Sequence, residues 1–146
     1  MRLSLALVAL SLALVACAPA VFRPVPELLV SSRYGLVVPD GILLARIVEG
    51  EVEITEFRFP QDSPYRPSSL EELGERLKAQ LEARGFFLRC RTYNALPLFG
   101  GPQYTVRLAR GPEGVGVFLR PLARPDAYRV EVSPASPNPP LDCPPR

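Results

Sequence analysis

The chain of 146 residues has no His and no Trp, a single Lys and only four Asp. The missing imidazole excludes the most. No side chain has an unperturbed pKa near neutrality, so Ser-His-Asp and Cys-His catalysis are ruled out, as are His-containing zinc sites. Other metal ligands are also scarce. There is no Cys-x-x-Cys, and Asp40, Asp62, Asp126 and Asp142 all fall at turn or loop positions. The acidic cluster Glu49, Glu51, Glu53 lacks the alternating oxygen ligands and central Gly of an EF-hand loop, and matches the solvated side of a strand. No metal and no cofactor is expected.

Net charge is small too. Seventeen basic against fifteen acidic residues leave +2, which excludes the strongly basic balance of a dedicated nucleic-acid binder, while 47% hydrophobic content excludes a wholly disordered chain. Paired-carboxylate catalysis needs two acids across a cleft, one with a raised pKa. Glu71, Glu72, Glu75 and Glu82 fall instead on the polar side of a predicted helix. The stretch Leu98-Phe99-Gly100-Gly101-Pro102 is Gly-rich but lacks the Gly-Lys-Ser/Thr that contacts phosphates. The protein is therefore not expected to be an enzyme.

The first segment carries one long apolar run. After Arg2, residues Leu3 to Ala16 are interrupted only by Ser4 and Ser11. That length suits the roughly 7–15 residues of a secretory h-region and falls short of the roughly 20 needed to span a bilayer. Residues 1–16 are predicted to be a signal peptide. The run ends in Leu14-Val15-Ala16-Cys17, which resembles the lipobox of bacterial lipoproteins. The resemblance implies that Cys17 is acylated and becomes the mature N-terminus. Each buried methylene contributes about 0.8 kcal/mol, so two or more acyl chains hold the protein at a membrane stably. Residue 18 is Ala rather than Asp, which in a diderm host resembles the outer-membrane sorting signal. The expected location is the cell envelope, on the outer membrane facing the periplasm in such a host. Ordinary secretory cleavage near Ala18-Pro19-Ala20 is the alternative, and Pro19 disfavours it.

Proline is abundant, at 18 residues, and uneven. Pro19, Pro24, Pro26 and Pro39 keep residues 17–40 extended, as a tether would be. Six more, from Pro134 to Pro145, make residues 134–146 a polyproline-like tail. Between them, residues 41–133 are long enough for one modest core.

Within that domain a helix is predicted from Ser69 to Arg84. Ser68 and Glu71 form a capping-box pattern, Leu70, Leu73, Leu77 and Leu81 make one apolar stripe, and Gly85 supplies the stop. Segments of period-two alternation flank it. Ile42–Val48 and Glu51–Phe59 form a hairpin around Glu49-Gly50, and the pattern of the second slips after Thr55, through a bulge or an early exit from the sheet. After the helix come Phe86–Tyr93, Gln103–Leu108, Val115–Arg120 and Tyr128–Val132, with turn residues between the last three. The predicted class is α+β: a mainly antiparallel sheet of five to six strands in ββ-α-ββββ order, with the helix on one face. That order is similar, at the level of fold, to small envelope-assembly lipoproteins.

Two Cys remain after lipidation. Cys90, on the core-facing side of its strand, and Cys143, in the tail, are expected to pair in an oxidising compartment and tie the tail to the domain. The alternative is a buried Cys90 thiol and a free Cys143. Opposite the helix, Phe87, Arg89, Arg91, Tyr93, Arg107, Phe118, Arg120 and Arg129 are expected on one face. Guanidinium groups interleaved with rings suit a partner's carboxylates, or an anionic ligand such as a glycan, lipid phosphate or nucleic acid. Cross-strand pairing with Glu51, Glu53 and Glu131, with the tether or tail over Phe87 and Phe118, is the alternative. The leading expectation is a non-enzymatic module that docks an envelope protein, with an anionic ligand as the second.

Overall fold

A computed structural model of the chain describes residues 24–94, 101–138 and Cys143; the expected signal peptide, the expected lipidation site Cys17, and Leu98 to Gly100 lie outside the described residues. Chain order is β1 (Glu27–Ser31), β2 (Leu36–Pro39), β3 (Ile42–Glu49), β4 (Val52–Arg58), α1 (Leu70–Ala83), β5 (Phe87–Asn94), β6 (Gln103–Arg110), β7 (Glu113–Pro121) and β8 (Ala127–Ala135). Strands β3 to β8 form an antiparallel sheet in the order β3-β4-β8-β7-β6-β5, and β1 and β2 pair in a separate hairpin. The α+β class holds. The strand count rises to eight in two sheets, and the order becomes ββββ-α-ββββ.

The additional hairpin corrects the expected tether. Residues 27–39 contribute Val30, Tyr34, Leu36 and Val38 to the core. Proline does not prevent this, because Pro26 precedes β1 and Pro39 is the last residue of β2, positions where no central ladder bond is lost. Polar contacts lock the hairpin down. The Glu53 carboxylate accepts from Ser31 Oγ (2.7 Å), Ser32 N (2.7 Å) and Ser32 Oγ (2.9 Å). Burial pushes this carboxyl upward, but those bonds outweigh it and leave its pKa below the ordinary value. On the other side, Gln80 of α1 accepts from Val37 N (2.9 Å) and donates to Val37 O (2.8 Å), so the helix closes the open edge of β2.

The helix follows its sequence signals, displaced by one residue at the start. Ser69, not Ser68, is the N-cap: its Oγ accepts from Glu72 N (3.1 Å), and the Glu72 carboxylate reaches back to Ser68 N and Oγ (both 2.6 Å). At the other end Gly85 takes φ 86°, with Gly85 N donating to Glu82 O and Phe86 N to Leu81 O, a Schellman closure. Leu70, Leu73, Leu77 and Leu81 are all buried. They meet Tyr104, Val106 and Leu108 of β6 and Val115, Val117 and Leu119 of β7 in one core, each fully buried side chain contributing about 1.5–3 kcal/mol.

Strand β4 resolves the pattern slip by neither expected route. Its pairing with β8 is regular from Glu53 to Arg58, so Thr55 and Phe57 face the core and Ile54 faces away, at 7% exposure. The apolar residues change face while the strand runs straight. The bulge lies in the partner strand instead, between Leu43 and Ala45 of β3.

Candidate functional site

Helix α1 and the β1–β2 hairpin cover one face of the six-stranded sheet. The other face is lined by three rows of side chains fixed by the strand register. Arg107 of β6, Gly116 of β7 and Ser133 of β8 lie side by side; next come Thr105, Phe118, Glu131 and Ile54; then Arg120, Arg129 and Glu56. Of the expected binding residues, Arg107, Phe118, Arg120 and Arg129 therefore do share one face. Phe87 joins them at the rim of β5, 74% exposed and paired with Ala109.

Arg91 and Tyr93 do not. A bulge between Leu88 and Cys90 inverts the rest of β5, so Arg91 pairs with Val106 and Tyr93 with Tyr104 on the helix side. Arg91 Nε lies 2.8 Å from Glu75 of α1, and its other nitrogen pairs with Glu71. Burial tends to raise the Glu75 carboxyl, yet Lys78 and Arg91 hold it below its usual range. Arg89 sits at the bulge and donates to Asn138 Oδ1 (3.5 Å). The same inversion moves Cys90 from the expected core side to the uncovered face.

There Cys90 is bonded to Cys143, with Cα atoms 5.3 Å apart and 53 residues of separation. Thr92 Oγ1 donates to Cys143 O (3.0 Å) beside it. The end of β8 passes close over β7, since a β-carbon on Gly114 would run into the Ala135 carbonyl and stand 2.9 Å from Pro137 N. Beyond β8, Asn138 meets Arg89 and Cys143 meets Cys90, so both contact β5.

This crossing builds a cleft. Thr105, Arg107, Gly116, Phe118, Glu131 and Ser133 form its floor, and Pro134, Ala135 and Ser136 its wall, around a volume of about 130 Å³. Gly116 makes the floor low, because its absent side chain would point into the space between Arg107 and Ser133. Sequence reasoning missed Gly116, Ser133 and the wall. The available signal was Gly at two alternate positions of one strand, 114 and 116, which marks close backbone approach.

Charge on the face is mixed. Arg129 pairs with Glu56 (3.5 Å), whereas Arg107 and Arg120 form no ion pair among the described residues. Of the three expected counter-charges, Glu131 lies on this face, while Glu51 pairs with Arg33 (3.0 Å) and Glu53 bonds the hairpin turn. The cleft is thus lined by a guanidinium, hydroxyls, a carboxylate and a ring. That set recognises polar groups by hydrogen bonding and charge, and it holds no nucleophile activated by a neighbouring imidazole.

The chain matches no family model, no curated protein and no solved structure.

Proposed function

We propose that the protein is a lipid-anchored component of the cell envelope whose α+β domain docks an envelope protein through the uncovered sheet face. One observation carries this: a sheet face that the helix and hairpin leave free bears a cleft with Arg107, Phe118 and Glu131, and the end of β8 walls it. The Phe118 ring beside guanidinium groups favours a protein surface as the occupant, since aromatic and Arg side chains are enriched at the cores of protein interfaces. The lipobox at Leu14-Val15-Ala16-Cys17 supports attachment at a membrane, and among the described residues no helix is long and apolar enough to cross one. The absence of His supports binding rather than catalysis.

A second reading has its own support. Arg107 at the cleft, with no ion pair among the described residues, suits an anionic group on a small ligand or polymer. Salt separates the two, because phosphate contacts release counterions and lose affinity steeply with ionic strength, whereas a mixed-charge protein interface responds weakly.

Two experiments test the proposal. Labelled palmitate is expected in the wild-type protein and absent from Cys17→Ser; label in both would refute the anchor. Crosslinking in intact membranes is expected to capture a partner that Arg107→Glu with Arg120→Glu loses at unchanged thermal stability. Capture unaffected by that pair would refute the docking face.

A further inference from the structure

The two edges of the six-stranded sheet are built differently. Edge strand β5 is interrupted by the bulge at Leu88–Cys90, carries Arg89 and Arg91, and is tied to Cys143. Such features block pairing with another strand. Among the described residues, edge strand β3, Ile42–Glu49, pairs with β4 alone, and it has no Pro or Lys. Ile42, Leu43, Ile47 and Val48 are exposed along it, Val48 at 61%, and Val25 and Leu29 of the adjoining N-terminal segment are exposed too. Among the described residues, six of the eight exposed large apolar side chains thus lie on this one border of the domain. An isolated exposed Leu means little, but a border of them along an unpaired strand marks an interaction site.

We infer that β3 pairs with β3 of a second copy, making a two-fold dimer with one continuous antiparallel sheet. A membrane does not fit this border, because the unpaired amides and carbonyls of an open edge find no partner in hydrocarbon. A strand satisfies them and covers the apolar side chains at once. Charge and register select the copy. Beyond the bulge, Ala45 to Glu49 alternate regularly, and residues directly opposite in an antiparallel pair must share a face. A two-fold axis at Ile47 sets Ile47 against Ile47, Arg46 against Val48 and Ala45 against Glu49, so no like charges oppose each other. An axis at Arg46 would set two guanidinium groups face to face. With β5 guarded, the described residues of each copy leave one open edge, and assembly closes at two instead of growing into a fibre.

Light scattering on the full-length protein in detergent tests the dimer. The wild type is expected to show twice the mass of a single chain once bound detergent is subtracted. Ile47→Lys and Val48→Lys, both at exposed positions, are expected to halve it at unchanged melting temperature. Ile47→Cys is expected to give a disulfide-linked dimer on mild oxidation in membranes, whereas Arg120→Cys, away from the edge, is not. A wild type of single-chain mass overturns the inference, as does a dimer that both Lys variants leave intact. A wild type of single-chain mass that captures a foreign protein lost on Ile47→Lys overturns it in favour of a different partner for the same edge.

Discussion

Tyr104 occupies the space where a side chain on Gly74 would stand. A β-carbon at Gly74 would lie 2.5 Å from both Cδ1 and Cε1 of the ring, which is itself fully buried. Helix α1 rests on β6 through this contact, and the Tyr104 hydroxyl reaches Glu75 (3.4 Å) one residue further along the helix. Burial raises the pKa of that phenol far above its ordinary value, so it stays protonated.

Gly74→Ala is therefore expected to destabilise the protein. Ala gains about 1 kcal/mol of helix propensity over Gly, but overpacking against a ring that cannot move costs about 1–3 kcal/mol. Chemical denaturation should show a net loss of about 1 kcal/mol, and Gly74→Ala with Tyr104→Leu should recover part of the loss through coupling between the two sites. A stabilised Gly74→Ala would contradict the packing described.

Removing the disulfide should loosen the cleft wall as well as the fold. In the chain-entropy model a bridge across 53 residues contributes about 4 kcal/mol. Cys90→Ser with Cys143→Ser, or reduction, is expected to lower the melting temperature by on the order of 10–20 °C and to expose residues 136–138 to proteolysis. Thiol labelling of the purified wild type without reductant should find neither Cys90 nor Cys143 free.

The helix start should titrate in acid. Hydrogen bonds from the Ser68 hydroxyl and amide, together with Arg76, hold the Glu72 carboxyl at about 2. A carboxyl lowered on folding stabilises the native state above its unfolded pKa of about 4.3, and the contribution is lost as pH falls through the folded value. Wild type is expected to melt above Glu72→Gln by a constant margin at neutral pH, with the gap closing between about pH 4.5 and about pH 2. A gap that persists at pH 2 would contradict the capping role.

The two sides of β5 should separate stability from binding. Arg91→Ala removes pairs with Glu71 and Glu75 at a partly exposed position, where such pairs are worth about 0.2–1 kcal/mol each. It is expected to lower stability slightly and leave partner capture unchanged. Arg107→Glu should do the reverse, and capture measured beside a thermal melt shows which holds.

Much of the fold is legible in the sequence because it rests on local periodicity. The Leu70-Leu73-Leu77-Leu81 stripe, the Gly85 stop and the alternation of β6 to β8 each report one element and its buried side. What failed was non-local. The β1–β2 hairpin reads as a Pro-containing tether because its partners, Glu53 and Gln80, lie some 20 and 40 residues away. One extra residue near Arg89 inverts every later side chain of β5, so strict alternation puts Arg91, Tyr93 and Cys90 on the wrong faces. The cleft is hidden for a different reason: its floor is a missing side chain, and its wall, Pro134 and Ala135, reads as Pro-rich tail although it is the end of β8.

Filling that floor is the most direct test of the docking face. A β-carbon on Gly116 would meet Ala135 Cβ at 3.6 Å, an ordinary contact, and Val suits a strand, so Gly116→Val should fold normally while occupying the cleft. Crosslinked capture from intact membranes is expected to fall to background for Gly116→Val at a melting temperature within a degree or two of wild type. Wild-type capture by a fully folded Gly116→Val would contradict the account.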